Sequence, residues 1–415
     1  GSQSLEHCLC VCPSSMMRAW ILKPLLIVFS SAVLAALALW SGARIMNERA
    51  PVLGALAFSG IDGWESDDHG QAFAAFHRSC ARIEQVAKAR AKAGKGKSDY
   101  HPLTEICEAA LDLGEKIGGA AAREFFQTRF TPHRYPGGSR SGFVTGYYEP
   151  ELDGARARSK RFSVPVYRVP GDLVQLYPDA ERAARNHEMT YARKTAQGLV
   201  PYYERKEIEQ GALDGRNLEI LYLENWADAF YMHVQGSGRV VLQEGGHVRL
   251  SFAAKNGHPY TSIGKLLIER GALSQAGMSM AAVRGWLDAN PGQARELMWE
   301  NRAYIFFREL SGQDSGEGPV GAQGAALTPR RSLAVDTSIH ALGTPVWVNA
   351  PGLDVHGLRG FRHLMIAQDA GSAIRGEQRG DIFWGSGAQA GDIAGATRHK
   401  AEFIILLPNS DSPAG

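Results

Sequence analysis

The sequence lacks an excess of charge of either sign. Its 415 residues hold 45 Lys and Arg against 43 Asp and Glu, a formal net charge of +2, without a long basic run. A protein that binds nucleic acid usually carries a basic face or stripe. The composition therefore predicts no nucleic-acid partner, and an apolar share of 44% indicates a globular chain rather than a disordered one.

Motifs of several well-known enzyme classes are also missing. Neither H-E-x-x-H nor G-x-S-x-G is present and the 13 histidines are not clustered, so a zinc peptidase or a serine-triad hydrolase is not favoured. The segment GSGAQA at 385–390 matches G-x-G-x-x-A loosely, but a dinucleotide site needs an acidic residue about twenty positions later. Ile405 stands there, and the sequence predicts no cofactor.

Cysteine is scarce, with five residues in the chain. Cys8, Cys10 and Cys12 lie upstream of the paired Met16 and Met17, where the protein is expected to start, and no metal site is predicted from them. Cys80 and Cys107 fall in two predicted helices, and an even pair in an oxidising compartment predicts a disulfide. The alternative is two buried free thiols.

The N-terminal extension, residues 1–50, has the pattern of an export signal. A basic stretch with Arg18 and Lys23 precedes an apolar run over 25–40 and small residues at 41–43. This pattern predicts a signal peptide, and an uncleaved membrane anchor is the alternative. Both place the rest of the chain in the periplasm. No cysteine follows the run, so a lipid anchor there is not predicted.

Periodicity predicts helices before and between two groups of strands. Apolar residues three or four apart predict a helix over 71–92, and further helices are expected over 105–113, 120–130 and within 262–300. β-branched and aromatic runs predict strands at 142–149, 163–169, 218–223, 238–242, 247–252, 304–308, 332–335, 346–349, 363–367 and 400–407. The predicted fold class is mainly β with flanking helices.

Three aspartates in the last third are the candidate catalytic residues. Asp336, Asp369 and Asp381 lie in apolar, glycine-rich surroundings within 46 residues. A single Asp in such a place is often a turn former or a helix cap. Three together favour a site, because partly buried carboxylates raise one another's pKa and so provide a general acid. Phe383 and Trp384 are expected to add desolvation and a flat surface for a sugar ring.

Several ordered motifs carry a resemblance to one family. They are GYYEP at 146–150, NW at 225–226, HVQGSG at 233–238, NGHPYTSIG at 256–264, NRAYIFFR at 301–308 and LTPRRSLAVD at 327–336. With the three aspartates they resemble the membrane-bound lytic murein transglycosylase A family, from about residue 70 to 407. The chain departs from many relatives in having no lipobox cysteine.

The resemblance implies a fold and a domain division. The fold is a double-psi β-barrel domain, residues 51–148 plus 253–410, interrupted by an inserted smaller β-barrel domain, residues 149–252. Glycan is expected in the groove between the two barrels. Uncharged hydrogen-bonding and aromatic residues beside glycines suit a neutral sugar. The predicted lining is Thr145, Tyr147, Tyr148, Gln235, Gly236, Ser237 and Trp384, with a plain core role as the alternative for Tyr148.

The resemblance also implies a reaction, the non-hydrolytic cleavage of the β-1,4 bond between N-acetylmuramic acid and N-acetylglucosamine in peptidoglycan. The product carries a 1,6-anhydro end. One carboxylate suffices because the C6 hydroxyl of the substrate is the nucleophile and is already tethered. The family motif places the acid and base on Asp381, with Asp369 as the alternative. Asp369 and Asp336 are expected to tune its pKa.

Three alternatives of other classes remain open. A hydrolytic muramidase would use the same groove with an activated water, and a non-catalytic wall-binding protein would keep only the groove. An aspartic peptidase is faintly suggested by DTS at 336–338 and DAGS at 369–372. The expected partners are peptidoglycan glycan strands, the membrane through the N-terminal segment, and other cell-wall enzymes.

Overall fold

The computed structural model describes residues 53–94, 101–135, 142–177, 189–310, 318–371 and 373–409. The predicted signal peptide or anchor lies outside these residues. Within them, no helix combines the length and apolar character needed to cross a membrane.

Each range in which apolar periodicity predicts a helix contains one. The helices are α1 His69–Lys92, α2 Thr104–Leu113, α3 Gly119–Arg129, α4 Arg205–Glu207, α5 Trp226–Gln235, α6 Ile263–Glu269, α7 Met280–Ala289, α8 Pro291–Trp299 and α9 Ala388–Ala396. Ser262 caps α6 and Pro291 begins α8, as predicted. Cys80 on α1 and Cys107 on α2 form the predicted disulfide, so the free-thiol alternative is wrong. The sequence did not predict α4, α5 and α9.

Six strands close into a barrel that carries the aspartates. The barrel is part of a larger sheet, which in the described residues consists of β1 Gly54–Ala55, β2 Phe130–Arg134, β3 Gly142–Glu149, β13 Ser332–Val335, β14 Pro345–Val355, β15 Leu358–Ala370, β16 Arg379–Ser386 and β17 Arg398–Pro408. The six barrel strands follow the order β17-β14-β15-β13-β16-β3, and pairing of β3 with β17 closes the ring. β2 and β1 extend the sheet from β17. The sequence did not predict β16, although it holds Asp381.

A second six-stranded sheet forms from the middle of the chain. Its strands are β4 Glu151–Ala155, β5 Val164–Tyr167, β9 Glu219–Leu223, β10 Ser237–Leu242, β11 His247–Lys255 and β12 Ile305–Leu310, in the order β12-β11-β10-β4-β9-β5. A bridge between Arg168 and Phe307 joins its two edges. Because β12 pairs with β11, this sheet extends beyond residue 252, where the predicted insert ends. A small third sheet holds β6 Leu173–Gln175, β7 Tyr191–Thr195 and β8 Gly198–Val200.

Alternation along the barrel strands separates two cores. One apolar cluster fills the barrel and includes Val144, Ile382 and Phe403. Another lies between α1–α3 and the outside of the barrel, where Trp347 and Ile404 meet the helices. The helices therefore cover the outer face at β14, β15 and β17. The outer faces of β13, β16 and β3 carry the polar residues described next.

Candidate active site

The strand register places two of the three aspartates in one row across the barrel. Ala334 on β13 pairs with Asp369 on β15 and, on its other side, with Asp381 on β16. Asp381 in turn pairs with Thr145 on β3. Residues directly opposite each other in a sheet point to the same side. The row Asp369–Ala334–Asp381–Thr145 therefore presents two carboxylates and one hydroxyl on the outer face.

A β-bulge brings Asp369 onto this face. The register between β13 and β15 shifts after Leu333, so that Ala334 pairs with Asp369 and Gln368 is left over. Met365 and Ala367 point into the barrel core, and strict alternation would send Asp369 the same way. Bulges commonly redirect a side chain next to an active site. Gln368 is itself fixed, because its amide group bonds Ser332 and Ser79.

Asp381 is held through one of its two carboxylate oxygens. Oδ1 accepts hydrogen bonds from the hydroxyl of Thr145 and from Nη1 of Arg379, the latter at 2.7 Å. Arg379 Nη2 also donates to the Thr145 hydroxyl at 2.7 Å. No described residue donates to Oδ2, and the side chain is 20% exposed. Oδ2 is therefore the oxygen available to a substrate.

Burial raises the pKa of both carboxyl groups in the row. For Asp381, burial is opposed by the charge and the hydrogen bond of Arg379, and the net direction is upward. For Asp369, burial is opposed by the backbone N–H groups of Ala322 and Ala370, which donate to Oδ1 at 2.8 and 2.9 Å. The charge of Asp381 raises the pKa of Asp369 further. A raised pKa favours the protonated form that a general acid needs.

Tyr147 contributes a neutral hydroxyl to the same place. It pairs with Phe383 across β3 and β16, two residues beyond Thr145, and the two rings lie 5.3 Å apart. Burial raises the pKa of its phenol well above the ordinary value, and the charges of Asp369 and Asp381 add to this shift. The phenol therefore remains a hydrogen-bond donor beside the two carboxylates.

Asp336 behaves differently from the other two aspartates. It is 4% exposed, and its oxygens accept hydrogen bonds from the backbone and hydroxyl of Ser338, from Gly376 N–H at 2.9 Å and from Arg375 at 3.1 Å. Burial alone would raise its pKa, but these donors lower it below the ordinary value. The expectation that all three carboxylates raise one another's pKa is therefore wrong for Asp336.

Trp384 does not offer the predicted flat surface for a sugar ring. Its side chain is 6% exposed and belongs to the cluster inside the barrel. The indole contacts the ring of Phe361, and it lies so close to Gly146 that a side chain at that position would meet it. Phe383 is 1% exposed, so neither ring is a platform. Alternation along β16 explains the burial of Trp384, which points to the opposite face from Asp381. Phe383 shares the face of Asp381, and its ring packs against the ring of Tyr147.

The predicted groove residues on α5 and β10 lie next to the end of β3. Gln235 is the last residue of helix α5 rather than part of a strand, and its Oε1 accepts a hydrogen bond from Tyr148 N–H at 3.1 Å. Gly236 caps the helix in the left-handed conformation with a φ of 76°. Ser237 begins β10 and is 8% exposed. The Tyr148 ring packs beside Gly391 of α9.

Sequence reasoning missed Arg379 as a functional residue. A signal was present, because residues two apart on a strand share a face, which puts Arg379 beside Asp381. No group of three or more His, Cys, Asp or Glu side chains in the described part of the chain could hold a metal ion.

Comparisons with known proteins agree on one family. The sequence profile of the MltA specific insert domain matches residues 143–308, and that of the 3D domain matches residues 331–407. Membrane-bound lytic murein transglycosylase A of Vibrio cholerae is 35% identical over 287 residues, which cover 67% of this chain and 69% of the relative.

Solved structures agree with this result. The membrane-bound lytic murein transglycosylase of Agrobacterium tumefaciens is similar with a TM-score of 0.71 and 34% identity, over 86% of this chain and 97% of that one. The Escherichia coli MltA structure with bound chitohexaose gives a TM-score of 0.60 and 27% identity, over 88% and 94% of the two chains. The predicted fold class, mainly β with an interrupted double-psi barrel, is confirmed.

Proposed function

Because the chain belongs to the membrane-bound lytic murein transglycosylase A family and is a peptidoglycan-cleaving lyase, we propose that Asp381 is its single acid and base. The bond cleaved is the β-1,4 bond between N-acetylmuramic acid and N-acetylglucosamine. The observation that carries this assignment is the geometry of Asp381. Its Oδ1 is fixed by Thr145 and Arg379, its Oδ2 is free of the described donors, and burial raises its pKa.

The reaction needs two proton transfers through one carboxyl group. Protonated Asp381 first gives its proton to the glycosidic oxygen as the bond from that oxygen to C1 of muramic acid breaks. The C6 oxygen of the same sugar then bonds to C1, and its proton passes to the Asp381 carboxylate. This returns Asp381 to its protonated form. Because the nucleophile is tethered to the substrate, no water is activated.

Asp369 supports this chemistry from the other side of Ala334. A carboxylate at Asp369 favours the proton on Asp381, because two like charges repel, and it stabilises the positive charge that develops at C1. Asp369 lies two strands away, which corresponds to about 10 Å between the Cα atoms. Oδ1 of Asp369 is anchored by two backbone N–H groups. Asp369 as the acid and base is the alternative assignment.

Asp336 takes a structural role in this proposal. Its donors pin the turn after β13 to Arg375 and Gly376, which lie just before β16. Because β16 holds Asp381, this link helps to set the position of the reacting carboxyl group without a proton transfer by Asp336.

The glycan lies on the outer face of β13, β16 and β3 and continues toward Gln235, Gly236 and Ser237. The buried ion pair of Glu149 and Arg249, at 2.8 Å, supports this path because it ties the end of β3 to β11 of the second sheet. Ser386 Oγ donates to the same Glu149 at 2.6 Å. The division into a barrel domain and an insert proposed here is drawn along the two sheets, which assigns β11 and β12 to the insert. The chitohexaose bound by the Escherichia coli relative is consistent with a glycan ligand.

The relatives are named membrane-bound, and the enzyme belongs to the cell envelope. Export to the periplasm and membrane association through residues 1–50 are part of this proposal. The pattern at 18–43 and the disulfide between Cys80 and Cys107 support export, because disulfides persist in oxidising compartments.

Digestion of purified peptidoglycan in ¹⁸O-labelled water tests the reaction. Mass spectrometry is expected to find muropeptides with 1,6-anhydro ends, one water lighter than the hydrolysed products, and no ¹⁸O. Reducing ends that carry ¹⁸O would instead establish a hydrolytic muramidase. A wall-binding protein would release no product at all.

A further inference from the structure

Two basic side chains border the row that contains Asp381. β17 closes the barrel against β3, and this pairing sets Arg398 opposite Thr145 and Lys400 opposite Phe143. Thr145 pairs on its other side with Asp381. Side chains of directly opposed residues share a face. Arg398 and Lys400 therefore stand on the same outer face as the carboxylates, with Thr145 between Arg398 and Asp381.

These two cations differ from the other basic residue of the site. Arg379 is paired with Asp381 at 2.7 Å. Arg398 and Lys400 are exposed, and no ion pair or side-chain hydrogen bond links either of them to another described residue. A neutral sugar needs no positive charge, so two uncompensated cations beside the reacting carboxyl group suit a ligand that carries a negative one.

We propose that Arg398 and Lys400 bind a carboxylate carried by the C3 substituent of N-acetylmuramic acid. The inference rests on the proposed function, since that function places muramic acid at Asp381. Of the two sugars in peptidoglycan, muramic acid alone carries a lactyl group at C3. That substituent ends in a carboxylate when the stem peptide is absent, and it leads to the carboxylates of the peptide when the peptide is present.

The distances suit this assignment. Arg398 and Asp381 lie two strands apart, about 10 Å between Cα atoms, and a long basic side chain reaches over part of that gap. A sugar whose C1 lies at Asp381 can lie across the sheet in two directions. In one of them its C3 substituent extends toward β17. The pair would select muramic acid for the position where C1 is attacked and thereby set the register of the strand.

Binding measurements in the Asp381→Asn background test the proposal without turnover. Isothermal titration is carried out with chitohexaose, with peptide-free glycan of the same length, and with peptide-bearing glycan. The double variant Arg398→Gln/Lys400→Gln is expected to bind carboxylate-bearing glycan at least tenfold more weakly and chitohexaose unchanged. The loss should shrink as salt increases. Weaker binding of the peptide-free glycan would identify the lactyl carboxylate as the bound group. Weaker binding of the peptide-bearing glycan alone would identify a carboxylate of the stem peptide.

Arg359→Gln is the matched control, because Arg359 is an exposed arginine near the start of β15, where β15 pairs with β14. It should leave all three affinities unchanged. Equal loss for chitohexaose, or no loss for either carboxylate-bearing glycan, would overturn the inference. The labelled-water digestion of the unmodified enzyme separates this failure from failure of the proposed function, because it reports the reaction independently of Arg398 and Lys400.

Discussion

Arg379 donates to Oδ1 of Asp381 at 2.7 Å from the next outward-facing position of the same strand. The contact has two consequences. It orients the carboxyl group so that Oδ2 is presented to the outside, and its positive charge opposes the effect of burial on the pKa of Asp381. A residue that was assigned no role from the sequence thus helps to determine the proton affinity of the proposed acid.

Replacement of Arg379 by Met should shift the pH dependence of the reaction. Removal of the positive charge raises the pKa of Asp381 further, so the protonated acid persists to higher pH. The alkaline limb of the kcat/KM profile is therefore expected to move to higher pH, with a lower maximum because Asp381 is less well oriented. Arg379→Lys is the control and should keep most of the original profile. An alkaline limb that stays at the same pH or moves to lower pH would show that Arg379 does not control the pKa of the acid.

Asp336→Asn should affect stability more than chemistry. The substitution removes a buried charge that accepts hydrogen bonds from Ser338, Arg375 and Gly376, at a cost of about 1–3 kcal/mol in the free energy of unfolding at neutral pH. The folded pKa of Asp336 is lowered, so its contribution is present above the unfolded pKa and is lost as the pH falls through the folded one. Urea unfolding should therefore show a difference in the free energy of unfolding between the two proteins at pH 7, and this difference should become smaller below about pH 4. A difference in the free energy of unfolding that is independent of pH would contradict this account.

Gly146→Ala tests the buried position of Trp384. A Cβ at this position would lie 2.6 Å from Nε1 of Trp384 and 2.9 Å from Cα of Ala394. Overpacking of this kind typically costs about 1–3 kcal/mol, measured as a lower urea midpoint. Gly285→Ala is the control, because the space around Gly285 in α7 is open and alanine favours a helix. If Gly146→Ala unfolded at the same midpoint and weakened only glycan binding, Trp384 would belong to the groove after all.

Reduction of the disulfide should destabilise the helices that cover the barrel. Cys80 and Cys107 are 27 residues apart, and closure of such a loop stabilises the fold by about 3.5 kcal/mol in the chain-entropy model. A reductant should lower the urea midpoint of the unmodified protein. It should leave the midpoint of Cys80→Ala/Cys107→Ala unchanged. Equal sensitivity of the two proteins would mean that the effect comes from another source.

Several elements could be predicted from local patterns. The run at 142–149 is β-branched and aromatic, and the strand β3 has these bounds. The amphipathic spacing at 71–92 predicted α1 to within two residues at its start. Such patterns follow from contacts that are close in sequence. Helix α5 was not predicted, although its N-terminus carries a capping signal, since the Asn225 side chain accepts a hydrogen bond from Asp228 N–H.

The arrangement of the site depends on contacts between distant segments. Asp369 reaches the outer face because the register shifts beside Leu333, and nothing in the residues around Asp369 specifies that shift. Trp384 is buried because Gly146, more than two hundred positions earlier, leaves room for its indole. The low pKa of Asp336 depends on Arg375 and Gly376 from another loop. Composition and motif spacing identified these aspartates but not their different environments.

The rate of anhydro-muropeptide release by Asp381→Asn tests the central claim most directly. Asparagine has the shape of aspartate but cannot carry the proton, and general acid–base catalysis contributes roughly 10²–10⁴ in rate. We expect the loss to exceed this range, because no second carboxyl group takes over both transfers, while chitohexaose binding and the urea midpoint remain near those of the unmodified enzyme. Asp369→Asn should be slower than the unmodified enzyme but still form anhydro ends. Near-normal release by Asp381→Asn, with an inactive Asp369→Asn, would contradict the assignment and exchange the two roles.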